Sequence, residues 1–178
     1  NETKRMIIIR GLTGSGKTTL ADLICDDFED LELDEKPVEN CRVSVSSDDY
    51  FYDEEGNYKF IPDQIKSAHR WCLKEVESCA TLGYGVIVVH NTFTRKWEID
   101  PYVQIAINHG YAVNVVSLHD SGLTDIQLAE RSPHGVPVSN IRKQRERWEF
   151  DVFRDTHKKE FRPNMKFRKD SRNFRKPF

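Results

Sequence analysis

Met6-Ile7-Ile8-Ile9-Arg10-Gly11-Leu12-Thr13-Gly14-Ser15-Gly16-Lys17-Thr18-Thr19-Leu20-Ala21 decides the fold. Its apolar start, flanked by charge, predicts a buried strand. Gly11 to Thr18 satisfies G-x-x-x-x-G-K-[ST] at every fixed position, and a helical period follows through Leu20, Leu23, Ile24 and Phe28. Strand, glycine turn and helix are the context a phosphate-binding loop requires. Glycines let the backbone N–H groups curl inward around an anion, and the helix N-terminus adds partial positive charge. In such a loop Lys17 reaches the β- and γ-phosphates and the Thr18 hydroxyl ligates Mg²⁺. The candidate nucleotide-binding residues are Gly11, Thr13, Gly14, Ser15, Gly16, Lys17, Thr18 and Thr19.

Outward from this loop, strand and helix patterns alternate. Arg42 to Ser46 predicts a second strand, and Asp63 to Leu82 a long helix entered through Pro62. Gly85 to Val89 is continuously apolar at Val86-Ile87-Val88-Val89, as a central parallel strand is. A helix from about Glu98 to His109, a strand from Tyr111 to Leu118, and helices over Thr124–Arg131 and Val138–Phe153 complete the pattern. The last carries Val138, Ile141, Trp148 and Val152 along one side. This order predicts an α/β fold of the P-loop kinase kind: a parallel sheet of four to five strands flanked by helices, with a helical lid. Residues 1–153 are the expected kinase domain and residues 154–178 a basic, flexible tail.

At 178 residues, 38% hydrophobic and 31% charged, the chain suits one domain with a heavily charged surface. No run approaches the roughly 20 apolar residues of a membrane span, and no signal-peptide pattern opens the chain. Collagen-like and wholly disordered classes are excluded as well. Cys25, Cys41, Cys72 and Cys79 show neither C-x-x-C nor zinc spacing, so free thiols in an intracellular compartment, cytoplasm or nucleus, are expected. The chain opens on Asn1 rather than Met, which fits a segment of a longer protein with further domains. Net charge is −2, yet Asp26 to Glu55 holds 13 Asp/Glu against 2 Lys/Arg, and Phe153 to Phe178 holds 10 Lys/Arg against 3 Asp/Glu. Such segregation invites a polyanion to one end.

The loop alone fits GTPases, ATPases and small kinases. No Asn-Lys-x-Asp run supports guanine recognition, and the length argues against motor or AAA-type modules. A compact kinase remains. Ser47-Asp48-Asp49-Tyr50 follows the second strand, at the sheet end that carries the ligand crevice. A carboxylate there can accept the proton of an attacking hydroxyl, or can serve as a helix cap or polar turn.

Several further stretches carry a resemblance: Ile9 to Ala21, Ser47 to Phe51, Ala68-His69-Arg70-Trp71, Asn91-Thr92, Trp97-Glu98 and Pro101-Tyr102. Leu128-Ala129-Glu130-Arg131, His134-Gly135-Val136, Ile141, Arg145-Glu146-Arg147 and Asp151-Val152 continue it. Over roughly residues 5–153 the chain resembles the 5′-polynucleotide kinase-like P-loop family, nearest the kinase-domain group of Nedd-four-binding protein two, and is distantly similar to bacteriophage polynucleotide kinase. The resemblance implies transfer of the ATP γ-phosphate to a 5′-hydroxyl end of RNA or DNA. It implies Asp48 as general base and Arg131 as the lid arginine, with Lys17 completing the catalytic set. Two positions depart from the pattern. His90 stands where the family has an acid, and Phe51 where the bacteriophage enzyme has an arginine. His90 is expected to meet substrate or metal-bound water, or to be hydrogen-bonded at the crevice rim. Asp49, Asn91, Thr92 and Arg95 are further candidate substrate contacts, whereas His69 and Trp71 read as packing or capping residues.

Toward the C-terminus, Arg142, Arg145 and Arg147 precede a tail in which Phe161, Phe167, Phe174 and Phe178 interleave with Lys and Arg. That composition suits single-stranded nucleic acid, or a solvated linker to a neighbouring domain. The expected function is an ATP- and Mg²⁺-dependent polynucleotide 5′-hydroxyl kinase acting on RNA or DNA, with no membrane role. The alternatives are a small-molecule P-loop kinase and a catalytically lapsed nucleotide- or nucleic-acid-binding module.

Overall fold

A computed structural model describes residues 3–26, 37–150 and 152. Four strands, β1 (Arg5–Gly11), β2 (Arg42–Val45), β3 (Val86–Asn91) and β4 (Ala112–His119), pair in the order β2-β3-β1-β4. Every pairing is parallel, with Arg5 opposite both Val86 and Ala112, and Arg42 opposite Val86. Parallel neighbours need crossovers, supplied by α1 (Lys17–Asp26), α2 (Ile65–Leu82) and α3 (Lys96–Asn108). Two short helices, α4 (Asp125–Arg131) and α5 (Val138–Arg147), follow β4.

The period of two along a strand divides the core between two faces. Met6 and Ile8 of β1, with Ile87 and Val89 of β3, pack against Cys72 and Val76 of α2 and Ile99 and Tyr102 of α3. Ile9 and Val88 turn the other way, onto Ala21 of α1 with Leu20 and Ile24 beside them. Met6, Ile8, Ile9, Ile87, Val88 and Val89 are all fully buried, each worth about 2 kcal/mol of apolar transfer. The same alternation sends His90 toward α1 and Asn91 toward α2 at the carboxyl end of β3.

Several boundaries differ from the sequence expectation, α2 beginning at Ile65 after a 3-10 turn and β3 running on to Asn91 among them, and two differences have a clear cause. Helix α5 stops at Arg147, because Trp148 takes an extended ψ of 127°. Its ring lies 3.8 Å from the Arg10 guanidinium and joins Leu12, Leu128 and Ile141 in a second apolar cluster. Helix α3 starts two residues early, since the Glu98 carboxylate accepts from the Arg95 N–H at 2.9 Å and closes the first turn. Phe28 and the basic tail lie outside the described residues. All four cysteines are free thiols, and no helix among the described residues is long and apolar enough to cross a membrane.

Candidate active site

The carboxyl ends of the strands open onto a cleft of about 690 Å³, between the phosphate-loop motif, the turn after β2 and the α4–α5 lid. The loop is held from outside itself. Gln144 of α5 accepts the Thr13 N–H at 3.0 Å and donates to the Thr13 hydroxyl at 3.0 Å, while Ser121 donates to the Ser15 carbonyl at 2.6 Å. Glycine is required at position 14, where φ is 80° and a Cβ would run into the Leu128 backbone carbonyl, while a Cβ at Gly11 would displace the Ser15 hydroxyl and crowd Leu118. Lys17 Nζ donates to the Leu12 carbonyl at 3.0 Å. Burial pushes its ammonium down to about 8, against the opposing pull of Asp48.

Opposite the loop, Ser46 and Asp49 form a capping box that starts a short 3-10 turn, Ser47–Phe51, with the Ser46 N–H donating to Asp49 Oδ2 at 2.7 Å. That turn lifts Asp48 into the cleft and packs Phe51 beneath it. Asn91 fixes the arrangement: its Oδ1 accepts from the Ser47 N–H at 2.8 Å and the Ser47 hydroxyl at 2.7 Å, and its Nδ2 donates to Cys72 Sγ at 3.7 Å. Burial, the Asp48 and Tyr52 charges, and hydrogen bonding to Asp48 push the Tyr58 hydroxyl up to about 12. It therefore keeps its proton beside that carboxylate. His90, buried on the α1 side, is pushed down to about 4 by burial and then by the Lys17 charge, so its imidazole is neutral near pH 7.

The lid spans the cleft. Arg131 ends α4 exposed above the loop, with Nη2 3.9 Å from where a Gly16 Cβ would stand. In the loop between α4 and α5, the His134 ring stacks on Tyr58 at 3.6 Å and 14°. The lid helices are braced below: Arg145 bonds Asp120, Asp125 Oδ1 at 2.8 Å and the Leu123 carbonyl at 3.1 Å. Arg145 is thus committed to structure rather than to an incoming polyanion. Arg10, fully buried, donates to the Phe93, Thr94 and Glu149 carbonyls, although burial pushes its guanidinium down to about 10.

Of the residues singled out from sequence, Thr13, Gly14, Gly16, Lys17, Thr18, Thr19, Asp48, His90, Asn91, Thr92 and Arg131 line the one cleft. Gly11 and Ser15 shape the loop from behind. Two candidates fall elsewhere. Asp49 turns its carboxylate back onto the Ser46 N–H, and Arg95 is the exposed residue before the first turn of α3. His69 corrects the expectation in the other direction: it is exposed and lines the cleft rather than packing a core. Tyr58, Phe60 and Gln144 were not legible, since each reaches the site from a turn or from the far side of the lid, and His134, quoted within the resemblance, had no role assigned to it. Among the described residues no three His, Cys, Asp or Glu side chains gather as a ready metal cage. A hydroxyl at Thr18 facing the Asp48 carboxylate across the cleft still suits Mg²⁺, which takes few protein oxygens and completes its octahedron with water and phosphates.

A family model described as an AAA domain matches residues 6–150. That description revises the length argument against AAA-type modules, since a model bearing that description fits within this short chain. Human NEDD4-binding protein 2 is 30% identical over 146 residues, which are 81% of this chain and 8% of that protein. The chain thus spans less than a tenth of that relative's length. A chain in the structure of the Pnkp1/Rnl/Hen1 RNA repair complex superposes with a TM-score of 0.56 at 16% identity, covering 89% of this chain and 47% of that one. The crystal structure of APE1195 gives 0.50 at 15% identity, covering 84% and 81%. At these identities the structural likeness speaks for the fold.

Proposed function

Because the chain belongs to the AAA-domain family matched over residues 6–150, with the fold of a P-loop kinase, we propose that it is an ATP-dependent polynucleotide 5′-hydroxyl kinase. The observation that carries this reading is the convergence of Lys17, Asp48 and Arg131 on one cleft. A nucleotide-binding module would need the first of these; an acceptor-side carboxylate and an arginine over the loop suit phosphoryl transfer. The name of the RNA repair complex and the resemblance to polynucleotide kinases support the acceptor class.

In this reading the phosphate-loop N–H groups and Lys17 hold the β- and γ-phosphates. Asp48, held by the Asn91–Ser47 clamp, takes the proton of the 5′-hydroxyl as that oxygen bonds to the γ-phosphorus and the β–γ bridging oxygen departs with ADP. Arg131 lies against the charge spread over the transferring oxygens. Mg²⁺ held by Thr18 would neutralise charge between the β- and γ-phosphates. His90, uncharged, cannot replace the family acid as an anion, so it is assigned a hydrogen-bonding role beside Lys17. A small-molecule kinase remains the second reading because the acceptor wall of Phe51, Phe60, Ile65 and Ala68 is apolar.

The test is transfer of labelled γ-phosphate from ATP to 5′-hydroxyl RNA and DNA oligonucleotides, beside Lys17→Ala and Asp48→Ala. Transfer by the wild type that disappears in both variants is expected. Absence of transfer from a protein that binds both ATP and oligonucleotide would overturn the reading.

A further inference from the structure

An acceptor hydroxyl at Asp48 is one atom of its molecule, and the surface around it determines what the rest can be. Beside Asp48 the cleft wall is apolar: Phe60 and Ile65 remain 49% and 42% exposed, and the buried Phe51 lines the cleft with them. Phe51 and Phe60 meet edge to face at 5.1 Å, which fixes the Phe60 ring. Such a wall takes a planar ring face-on. Helix α2 begins at this wall. It is pinned to the Asp48 turn by Trp71 against Tyr50 at 6.1 Å, and it sends His69 into the cleft.

On the outer face of α2 stand Lys66, Arg70 and Lys74, spaced i, i+4, i+8 and all exposed. Among the described residues none of the three has an ion pair or a hydrogen-bonded carboxylate. Some cations on the other helices are tied down, Lys96 with Asp100, Arg142 with Asp125, and Arg145 with Asp120 and Asp125, while Lys143 and Arg147 of α5 resemble the row in having no ion pair among the described residues. What sets the α2 row apart is three like charges in register on one face. An ordinary solvated helix face carries alternating charge. Here acids appear only beyond the row, at Asp63 before it and Glu77 after it, while Glu75 lies on the Trp71 flank. The row is about 12 Å long at 1.5 Å per residue, and a stacked strand advances about 3.4 Å per nucleotide, so it spans about three phosphates.

We propose that a single-stranded polynucleotide leaves the cleft across the first half of α2, its terminal base against Phe60 and Ile65 and its next phosphates on Lys66, Arg70 and Lys74. A stacking platform joined to a cation row is the arrangement that grips single strands without reading sequence. The proposal rests on the kinase reading for the position of the terminal hydroxyl, not for the grip itself. It moves the strand contact away from Arg95, and it makes an oligonucleotide a better acceptor than a nucleoside 3′-monophosphate.

The variant Lys66→Gln/Arg70→Gln/Lys74→Gln keeps good helix formers at exposed positions, and circular dichroism verifies its fold. Binding of 3′-fluorescein decamers of dT and U bearing 5′-hydroxyls is measured by anisotropy at about 50 and 200 mM salt. Three phosphate contacts contribute a log–log salt slope of about −2, so wild-type affinity should fall about twentyfold more than the variant's over that range. The ratio of kcat/KM for the decamer over that for a nucleoside 3′-monophosphate should drop about tenfold in the variant. Equal affinities and equal salt slopes overturn the strand path. A row-dependent salt slope with phosphate transferred to neither acceptor would leave the path standing and overturn the kinase instead.

Discussion

His90 is held far from its solution behaviour, and that makes the protein's acid stability a test of the site. The unfolded imidazole protonates near 6.5, while the folded one, buried beside Lys17, does so near 4. Between those values the unfolded chain binds more protons than the folded one, so stability falls as pH drops from 6.5 toward 4. The full gap corresponds to about 3 kcal/mol, of which about 2 kcal/mol is already lost at pH 5. Against a typical domain stability of about 5–15 kcal/mol this is a large share for one side chain.

The comparison is with His90→Asn, which keeps a polar planar group and cannot titrate. Urea unfolding at pH 7.5, 6 and 5 gives the stability of each protein, and the carboxylates common to both cancel in the difference. The wild type should lose about 2 kcal/mol more than His90→Asn between pH 7.5 and 5. Phosphates at the loop offset the Lys17 charge, so an imidazole NMR titration should move upward when a non-hydrolysable ATP analogue binds. Parallel losses in the two proteins, or an imidazole titrating near 6.5 in the free enzyme, would refute the buried His90–Lys17 arrangement.

Lys17 loses its proton near pH 8 in the free protein, so ATP affinity by calorimetry should fall as pH rises through 8, and Lys17→Arg should flatten that fall because guanidinium stays charged. Arg131→Ala should lower kcat by about 10²–10³ with little change in ADP affinity, since the side chain approaches the loop at Gly16 without hydrogen-bonding its backbone; unchanged kcat in single-turnover transfer would remove it from the chemistry. Asn91→Leu leaves the Ser47 N–H and hydroxyl unpaired and should cost about 1–3 kcal/mol in urea unfolding while lowering kcat through Asp48. If Asn91→Ser restores stability without restoring kcat, the two roles of Asn91 separate.

What could be read beforehand follows from how far each signal travels along the chain. The sheet was legible because a buried parallel strand must be apolar on both faces, and Ile7 to Ile9 and Val86 to Val89 announce that locally. The phosphate loop was legible because its fixed positions lie within eight residues of one turn. Asp48 was placed by the strand before it, but Asp49 was not separable from it in sequence. Only the capping geometry shows that one carboxylate closes its own turn while its neighbour faces the cleft. Arg145 posed the same difficulty: a run of arginines is identical on paper whether it meets phosphates or, as here, Asp120 and Asp125. Tyr58 and His134 lie on no periodic element whose pattern predicts contact, and Gln144 stands on α5, whose period gives its face but not which loop it meets; His134 and Gln144 reach the site only as the lid folds across from β4. Arg10 reverses the usual expectation most sharply, since a guanidinium inside β1 reads as an edge or an error. It is buried because the ends of β3 and α5 point three carbonyls at it and Trp148 covers its face. Those carbonyls make an arginine at that position a clamp on the lid's base, which is why the strand that carries the nucleotide loop also sets where α5 ends.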